Sequence, residues 1–386
     1  MNGSASRKVV FLTHTVFHYR QAFHELVREN LQRDRVDYVV VYGQPDRIEE
    51  RKNDAVNLSF GRKIRNRYIY RLGQPLIYQP ALRALLSADL AIIIQENRLL
   101  LNYPVQLFRR LLKPKIALFG HGRNFQSRNP DGRAERFKQF WADKSDWWFG
   151  YTEETRSHIA ALGFPDDRIT VFNNAVDSGT VRRAANAVTA ERMQARRVEL
   201  GLTGNNVAVF VGGLYPDKRL DYLVAAADLI RASVPDFELI VAGGGVDLPL
   251  IKQLATSRPW IKVMGPRFGT DKVELMRLGK IFLMPGLLGL AILDAAAAGL
   301  PTITTDFPWH SPEIAYLENG VNGLRVQGWD DPAAYAVAVV GLLGDTERLQ
   351  NMTAAARLLS DNYTIEAMAE RFADGVRAAL AAGRRG

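Results

Sequence analysis

The stretch "VFVGGLYPDKRLDYLV" (Val209–Val224) joins an apolar run, a glycine-containing turn and an amphipathic helical pattern. A short buried strand that ends in glycine and is followed by a helix is typical of a βα unit, which belongs to a parallel sheet. The same alternation recurs along the chain on both sides of this stretch. The sequence therefore predicts an α/β fold made of parallel sheets covered by helices.

The βα alternation falls into two sets, which are separated by a polar segment rich in Ala and Arg. Such a change in composition is typical of a connection between domains. Doubly wound lobes bind ligands at the carboxyl ends of their strands, so we expect two Rossmann-like lobes that face a central cleft. The predicted divisions are a first lobe (1–181), a connecting segment (182–206), a second lobe (207–363) and a C-terminal helix that packs back toward the first lobe (364–386).

Length and composition indicate a globular protein of two ordinary domains, with 386 residues and a net charge of +9. The absence of cysteine excludes disulfides, Cys-ligated zinc and iron–sulfur clusters, and it suits a reducing compartment. Residues 1–190 carry 30 Lys and Arg against 19 Asp and Glu. This basic half suggests an anionic membrane surface, an acidic or phosphate-bearing substrate, or nucleic acid. A generally Arg-rich composition explains it equally well.

The apolar runs are too short to cross a bilayer. The first, Val9 to Leu12, is only as long as a strand, so no signal peptide is visible. The longest, Ile281 to Leu293, is interrupted by Pro285 and two glycines. We therefore expect a cytoplasmic protein whose contact with membranes, if any, is peripheral and on the inner face.

Two glycine-rich turns follow strands of the second set, one at Gly212-Gly213 and one around Gly244. Glycine allows a ligand to approach the backbone closely, and the N-terminus of the next helix favours an anion. Lys218 and Arg219 lie just beyond the first turn, within reach of a phosphate bound there. The alternative is that these glycines serve only the backbone geometry of the turns.

A second candidate ligand segment is "MPGLLGLAILDAAAAGLP" (Met284–Pro301). Its loop is expected to offer free backbone N–H groups to phosphate or sugar oxygens. Asp294 lies one turn into the following helix, where its carboxylate can accept hydrogen bonds from a diol such as ribose. The alternative is a carboxylate that only pairs with the helix dipole. The loop residues in question are Gly286, Leu287, Leu288, Gly289 and Leu290.

The order of these elements resembles the retaining GT-B glycosyltransferases of the group 1, family 4-like type. That family has a Gly-Arg turn with a downstream Lys, then a Gly-x-Gly turn, then a Glu-x7-Glu segment. The counterparts here are Gly212-Gly213 with Lys218, Gly243–Gly245 and Met284–Pro301. Two further segments of the first lobe resemble the family pattern, namely "FNNAVD" (Phe172–Asp177) and the His-containing "GHGRNF" (Gly120–Phe125).

The sequence departs from the family pattern at two positions. Gly286 stands where the family has its first Glu, and Gly213 stands where it has Arg. The first departure leaves the identity of the sugar open, and the second removes one cation expected to stabilise the diphosphate. A related subgroup has a similar Pro-Gly-x-x-Gly-Leu loop followed by "HSPEI" (His310–Ile314), which favours specialisation over loss of activity.

The resemblance implies transfer of a hexose-type sugar from a nucleotide diphosphate sugar, with retention of configuration and without metal or cofactor. Lys218 and Arg219, helped by the loop amides, are expected to stabilise the leaving diphosphate. His121 is expected to face the donor sugar, and Asp294 to hold the ribose. A UDP-sugar is preferred over a GDP-sugar on family frequency alone. A role in bacterial cell-surface polysaccharide or glycolipid synthesis follows from the same resemblance.

The acceptor is expected on the first lobe, at the carboxyl end of its first strand. It is a glycan or a lipid-linked molecule in this interpretation, because residues 60–71 and 107–115 mix basic and apolar side chains in a way that suits an anionic bilayer surface. Solvated helix faces explain the same two stretches equally well. The candidate acceptor-binding residues are His14, His18, Tyr19 and Arg20.

Three other functions were weighed against this one. An NAD-dependent oxidoreductase requires Gly-x-Gly-x-x-Gly after the first strand, and "FLTHTVFHYR" contains no glycine. A nucleic-acid-binding protein would leave the second-lobe loops unexplained, so no nucleic-acid partner is expected. The remaining alternative is a nucleotide-sugar-binding protein of the same fold without transfer activity.

Overall fold

A computed structural model describes residues 6–47, 49–50, 55–70 and 74–385. Residue 71, the last of the predicted membrane-contact stretch 60–71, lies outside these ranges. The chain forms two compact units. The first unit consists of Met1–Asn174 together with Ile365–Gly386, and the second consists of Ala175–Thr364.

The first unit is built on a seven-stranded parallel sheet in the order β3-β2-β1-β6-β7-β8-β9. Its central strands are continuous apolar runs because both faces of a parallel sheet are covered by helices. Val9 of β1 pairs with Tyr38 on one side and with Leu90 on the other. The strands are β1 (Arg7–Leu12), β2 (Val36–Tyr42), β3 (Arg62–Lys63), β6 (Leu90–Ile94), β7 (Lys115–Gly120), β8 (Trp147–Gly150) and β9 (Ile169–Val171).

An antiparallel hairpin, which the βα pattern did not predict, is inserted between β3 and β6. It consists of β4 (Arg67–Ile69) and β5 (Leu76–Tyr78). The helices of this part of the chain are α1 (His18–Gln32), α2 (Leu82–Leu86), α3 (Asn102–Leu107), α4 (Arg133–Ala142) and α5 (Glu153–Ala161).

The second unit contains a six-stranded parallel sheet in the order β12-β11-β10-β13-β14-β15. Counted from its first strand, this is the 3-2-1-4-5-6 order of a Rossmann sheet, so the strand order reverses between β10 and β13. Val209 pairs with Ile240 on one side and with Phe282 on the other. The strands are β10 (Asn206–Val211), β11 (Phe237–Ala242), β12 (Ile261–Gly265), β13 (Ile281–Leu283), β14 (Thr302–Thr305) and β15 (Gly323–Val326).

The helices of the second unit cover this sheet. The helix of the Met284–Pro301 stretch is rich in alanine, whose small side chains allow close packing. Ala295 and Ala296 are buried. The helices are α6 (Ser178–Ala187), α7 (Ala190–Glu199), α8 (Leu220–Ser233), α9 (Leu248–Ala255), α10 (Gly269–Leu278), α11 (Ala291–Ala297), α12 (Pro332–Gly344) and α13 (Thr346–Asn362).

The domain limits differ from those expected. The predicted end of the first lobe at residue 181 falls inside α6, whereas the first unit ends at Asn174. The predicted connecting segment 182–206 contributes to α6 and α7, which pack on α10 within the second unit. Its polar composition reflects half-exposed helices, not a free linker. The last helix, α14 (Ile365–Ala381), packs on α1 in the first unit.

Within the part of the chain that the structure describes, no helix has both the length and the apolar character needed to cross a bilayer.

Candidate functional site

The strand order of the second unit reverses between β10 and β13, and doubly wound sheets bind ligands at the carboxyl ends of the strands at such a point. The loop after β10 begins with Gly212-Gly213, and the loop after β13 begins with Pro285-Gly286. The sequence motifs therefore converge on one edge of this sheet.

The glycine turns after β10 and β11 lie against each other. The N–H of Leu214 donates to the carbonyl of Gly244 at 2.8 Å. A Cβ on Gly243 would lie 1.9 Å from the carbonyl oxygen of Gly212, and one on Gly245 would lie 2.1 Å from that of Leu214. Backbone packing alone thus requires glycine at both positions. At Gly212 the nearest atom is 3.4 Å from such a Cβ, so packing does not explain this glycine.

Lys218 lies buried at the base of the β13 loop. Its Nζ donates to the carbonyl of Leu287 and lies 3.4 Å from Sδ of Met284. Burial lowers the pKa of Lys218 to about 8, against a smaller opposing effect of Asp217. An ammonium has three N–H donors, so one donor remains for a ligand oxygen.

Arg219 has a left-handed backbone, with φ 57°, and starts α8. Its guanidinium donates to the carbonyl of Trp329 and lies over three rings, at 4.2 Å from the centroid of Tyr222, 4.7 Å from Trp329 and 5.8 Å from Phe307. Cation–π contacts of this kind hold the guanidinium in an aromatic setting. Arg219 is therefore anchored beside the carboxyl ends of β14 and β15.

Two backbone N–H groups of the β13 loop are not free, contrary to the expectation from the sequence. The N–H of Leu287 donates to the carbonyl of Asp217 at 2.7 Å, and that of Leu288 donates to Nδ1 of His310 at 3.0 Å. These two groups are bound inside the protein because they hold the loop in place, so they are not free for phosphate. For the N–H groups of Gly286, Gly289 and Leu290, the described residues provide no acceptor.

His310 fixes this loop from the side of β14. Since its Nδ1 accepts from Leu288, its Nε2 carries the proton and donates to the carbonyl of Thr305 at 2.9 Å. Burial lowers the pKa of His310 to about 4, so the imidazole is neutral at physiological pH. Glu313, three residues after His310, is also buried. Its carboxylate lies close to the β13 loop, because a Cβ built on Gly289 would be 3.9 Å from Oε2 of Glu313.

Asp294 lies in the first turn of α11 and is partly exposed. Its Oδ2 accepts a hydrogen bond from Nζ of Lys272 on α10 at 2.9 Å. The carboxylate thus has a cationic partner as well as its place near the helix N-terminus. Its other oxygen remains available to a hydroxyl group.

In the first unit, an open pocket of about 120 Å³ lies at the carboxyl ends of β1 and β6, where the order of that sheet reverses. His14, Tyr19 and Arg20 line it, together with Glu96 and Tyr151. His18, expected beside them, is an exposed residue of α1 outside this lining, because α1 turns its side chain away from the pocket.

Hydrogen bonds hold two of the side chains that line this pocket. Nε2 of His14 lies 3.0 Å from Oε1 of Glu49, which also accepts from Arg98 at 3.1 Å. Burial would raise the pKa of Glu49, but the hydrogen bonds from His14 and Arg98 and a backbone N–H lower it to about 2. Arg20 donates to Oδ1 of Asn174 at 2.7 Å.

His121 follows β7, and its ring stacks on Tyr151 with the centroids 3.9 Å apart. Burial lowers the pKa of His121 to about 3, and the positive charges of Lys138 and Arg20 add to this effect. The imidazole is therefore neutral. Its Nδ1 is buried and has no hydrogen-bond partner among the described residues.

Comparison with known proteins identifies the second unit. Residues 205–345 match the family model described as glycosyl transferases group 1. The second unit carries a group 1 glycosyltransferase domain. The resemblance read from the glycine turns, Lys218 and the Met284–Pro301 stretch is thereby confirmed.

About three fifths of the chain is similar in sequence to several curated glycosyltransferases. It is 29% identical over 272 residues to a D-inositol 3-phosphate glycosyltransferase of Nocardia farcinica, covering 64% of this chain and 58% of that protein. It is 30% identical over 245 residues to a GDP-mannose-dependent alpha-(1-6)-phosphatidylinositol monomannoside mannosyltransferase of Mycolicibacterium smegmatis, covering 60% of each. The matched part of the chain thus spans somewhat more than half the length of these relatives.

Solved structures show that the fold is GT-B, with two Rossmann-like units. The HepE protein of Anabaena in complex with UDP superposes with a TM-score of 0.70 at 15% identity, over 96% of this chain and 99% of that one. WaaG, a glycosyltransferase involved in lipopolysaccharide biosynthesis, gives 0.63 at 14% identity, over 95% and 98%. The predicted fold class is confirmed.

Several residues that contact the candidate site residues were not singled out from the sequence. Glu313 and His310 belong to the quoted "HSPEI" segment, which could have directed attention to them. Lys272, Glu49 and Arg98 gave no signal, since single charged residues on exposed-looking stretches do not reveal their partners. In the described ranges, no three His, Asp or Glu side chains are close enough to share a metal ion.

Proposed function

We propose that this protein is a glycosyltransferase that uses a nucleoside diphosphate sugar as donor. The observation that carries the proposal is the meeting of Lys218 with the β13 loop at the strand-order reversal of a group 1 glycosyltransferase domain. Lys218 brings a cation and a free N–H to that loop, and Gly286, Gly289 and Leu290 bring unused amides. Together they form a cradle suited to a diphosphate.

The chemistry follows from where charge develops. As the bond from the sugar to the diphosphate breaks, negative charge grows on the leaving phosphate. A donor already aimed at that charge stabilises the transition state by about 3–4 kcal/mol. We assign this task to Lys218 with the loop amides, and to Arg219 if it leaves the carbonyl of Trp329. Asp294 holds the ribose, and His121 faces the donor sugar.

Retention of configuration and independence of metal are part of the same proposal and rest on the resemblance. Retaining glycoside hydrolases use two carboxylates and a covalent intermediate. Gly286 removes one of the two carboxylates of the family segment, so we favour attack from the face of the leaving group, with its phosphate as the base. Glu313, buried beside Gly289, is a carboxylate near this loop.

For the donor we propose a UDP-sugar over a GDP-sugar, with a hexose-type sugar. The name of the Mycolicibacterium relative includes GDP-mannose, and HepE is known in complex with UDP, so both bases are tested below. For the acceptor we propose a glycan or lipid-linked molecule bound in the pocket of His14, Tyr19 and Arg20, within bacterial cell-surface polysaccharide or glycolipid synthesis on the cytoplasmic side of the membrane.

Nucleotide binding by the second unit is the first test. Thermal unfolding is measured with UDP, GDP, ADP and dTDP on wild type, Lys218→Met and Asp294→Ala. A ligand at 100 times its Kd stabilises by about 2.7 kcal/mol. We expect one nucleotide to raise Tm in wild type and the response to shrink in both variants. Lys252→Met, on the exposed face of α9, is the matched control and should respond like wild type.

Two results decide between the candidate functions. If no nucleotide shifts Tm, with or without divalent cations, the donor site is wrong. The alternative, a nucleotide-sugar-binding protein without transfer activity, is favoured by the glycines at 213 and 286, and it predicts nucleotide binding without release of UDP or GDP from any donor. Measured release from one nucleotide sugar, absent in Lys218→Met, would support transfer.

A further inference from the structure

Five large apolar side chains stand exposed at the ends of two neighbouring helices of the first unit. Leu111, just after α3, is 82% exposed, Phe140 on α4 is 61% exposed, and Leu107 is 60% exposed. A contiguous exposed apolar patch marks an interaction site more often than scattered single residues do. We refer to these five side chains together as the α3–α4 surface; they are Leu107, Phe108, Leu111, Phe137 and Phe140.

Polar and ring contacts join the two helices under this surface. Nε2 of Gln106 donates to the carbonyl of Trp141 at 2.8 Å, which ties the end of α3 to the end of α4. The ring of Tyr103 lies 5.4 Å from Phe137, and that of Trp141 lies 5.6 Å from Phe140. These contacts hold together the two helices whose ends carry the exposed side chains.

Basic residues adjoin the same apolar side chains in sequence. Arg110 and Arg136 are exposed, Nζ of Lys144 lies 4.5 Å from the ring centroid of Phe140, and Lys113 is exposed but paired with Asp89 at 3.2 Å. The stretch 107–115 contains no acidic residue. Glu135, the acid within α4, is buried, and Asp143, just after α4, is paired with Arg385.

Lys115 does not belong to this surface, although the predicted stretch 107–115 included it. Its Nζ donates to the carbonyls of Ala379, Leu380 and Ala382 at the end of α14. Lys115 therefore caps α14. The membrane contact expected of residues 107–115 then involves the other residues of that stretch.

We propose that the α3–α4 surface binds the face of an anionic lipid bilayer. Leucine and phenylalanine side chains enter the headgroup region, while Arg110, Arg136 and Lys144 pair with lipid phosphates. The cations argue for this occupant, because a second copy of the chain, with a net charge of +9, would bring like charges together. The inference does not depend on the donor site.

Vesicle flotation of the full chain tests this surface. Wild type is mixed with vesicles of phosphatidylcholine alone, or of phosphatidylcholine with phosphatidylglycerol, at low and high salt. We expect binding to the anionic vesicles only, weakened by salt. The double variant Leu111→Ser with Phe140→Ser should bind about tenfold more weakly or worse, since it removes the apolar part of the contact.

Matched controls lie on the second unit. Val337 and Leu358 are 73% and 63% exposed, so Val337→Ser with Leu358→Ser removes equally exposed side chains elsewhere and should leave flotation unchanged. Arg110→Gln should weaken binding at low salt, whereas the exposed Arg348→Gln should not.

Three results would overturn the proposal. The first is equal recovery with neutral and anionic vesicles, and the second is an α3–α4 variant that floats like wild type. The third is a wild-type dimer that becomes monomeric in Leu111→Ser without any lipid binding, which would assign the surface to a second copy. Nucleotide-induced stabilisation, measured on the same samples, shows separately whether the donor site is intact.

Discussion

Lys218 is the residue on which the donor site depends most, and its burial gives it a pH signature. A lysine at its ordinary pKa stays charged well above pH 9, whereas burial lowers the pKa of Lys218 to about 8. A bound diphosphate favours the charged form and raises this pKa again. If the proposed donor site binds a nucleotide, we therefore expect its binding to be coupled to the uptake of a proton when the pH exceeds the pKa of Lys218 in the free protein.

The sign of this coupling gives a prediction. Below pH 8 Lys218 is already protonated, so its charge adds no pH dependence; above pH 8 a proton must first be bound. We expect the affinity for the preferred nucleotide to fall by up to about tenfold per pH unit above pH 8, and Lys218→Met to show a flat profile from pH 7.5 to about 9.5. Isothermal titration in buffers of different ionisation enthalpy measures both the affinity and the proton uptake. A wild-type profile as flat as that of the variant would contradict it.

Single residues also show the limits of sequence reasoning. Asp294 stood out because a lone carboxylate in an apolar run needs an explanation, and the structure gives it a partner in Lys272. That partner comes from another helix and carries no local pattern. Glu49, brought to His14 from 35 residues away, was invisible for the same reason. Spacing reveals ligands on one element, while pairing across elements requires the fold.

The β13 loop is the element whose shape the donor site requires, and Gly286 lies at its tightest point. A Cβ there would lie 2.2 Å from the carbonyl oxygen of Asp217. We expect Gly286→Ala to displace the loop, to lower stability by about 1–3 kcal/mol and to weaken nucleotide binding. Chemical denaturation and the nucleotide titration measure these two effects.

A second glycine provides the control for that substitution. Gly341 lies in α12 with no atom within 4 Å of an added Cβ. Gly341→Ala should therefore leave nucleotide binding unchanged and stabilise by up to about 1 kcal/mol, since Ala favours a helix. If Gly286→Ala behaved in the same way, the loop would not be constrained as the structure indicates.

The regular elements followed from the sequence, and the exceptions have a common cause. Strands such as β1, β6 and β10 were predicted because buried parallel strands are continuous apolar runs. The hairpin of β4 and β5 was missed because each strand has only three residues and most of them are exposed, as in many loops. The loop amides of Leu287 and Leu288 were misjudged because their acceptors, Asp217 and His310, lie on other segments.

At the scale of the whole chain, the units are not continuous in sequence. Residues 365–386 belong with the first 174, so the first unit is completed by the end of the chain. A composition shift can mark a boundary within the chain, as the polar segment near residue 190 did approximately. The shift alone does not show which unit a terminal amphipathic helix completes, since an apolar face fits any core of matching shape. The expectation that residues 364–386 pack toward the first lobe therefore did not rest on composition.

Phe372, in the middle of α14, tests this completion. Its ring lies 4.5 Å from Phe149, 5.2 Å from Phe23 and 6.0 Å from Phe119, all in the first unit. We expect Phe372→Ala to destabilise the first unit by about 3–5 kcal/mol, because it leaves a cavity among these rings. Hydrogen exchange should then show lost protection in β1, β7 and β8.

The same measurement separates a local effect from general unfolding. The strands of the second unit, β10 to β15, should keep their protection from exchange in Phe372→Ala, because α14 belongs to the first unit. A bound nucleotide should still increase the protection of these strands. Arg377→Ala on the same helix removes ion pairs with the exposed carboxylates of Asp34, Glu370 and Asp374 and a hydrogen bond to the carbonyl of Asn30. Exposed pairs are worth at most about 1 kcal/mol each, so the loss of stability should be much smaller than in Phe372→Ala. Equal loss of protection in both sheets of Phe372→Ala would mean that the two units unfold cooperatively. In that case α14 would stabilise both units, and the assignment of residues 365–386 to the first unit would not describe how the protein unfolds.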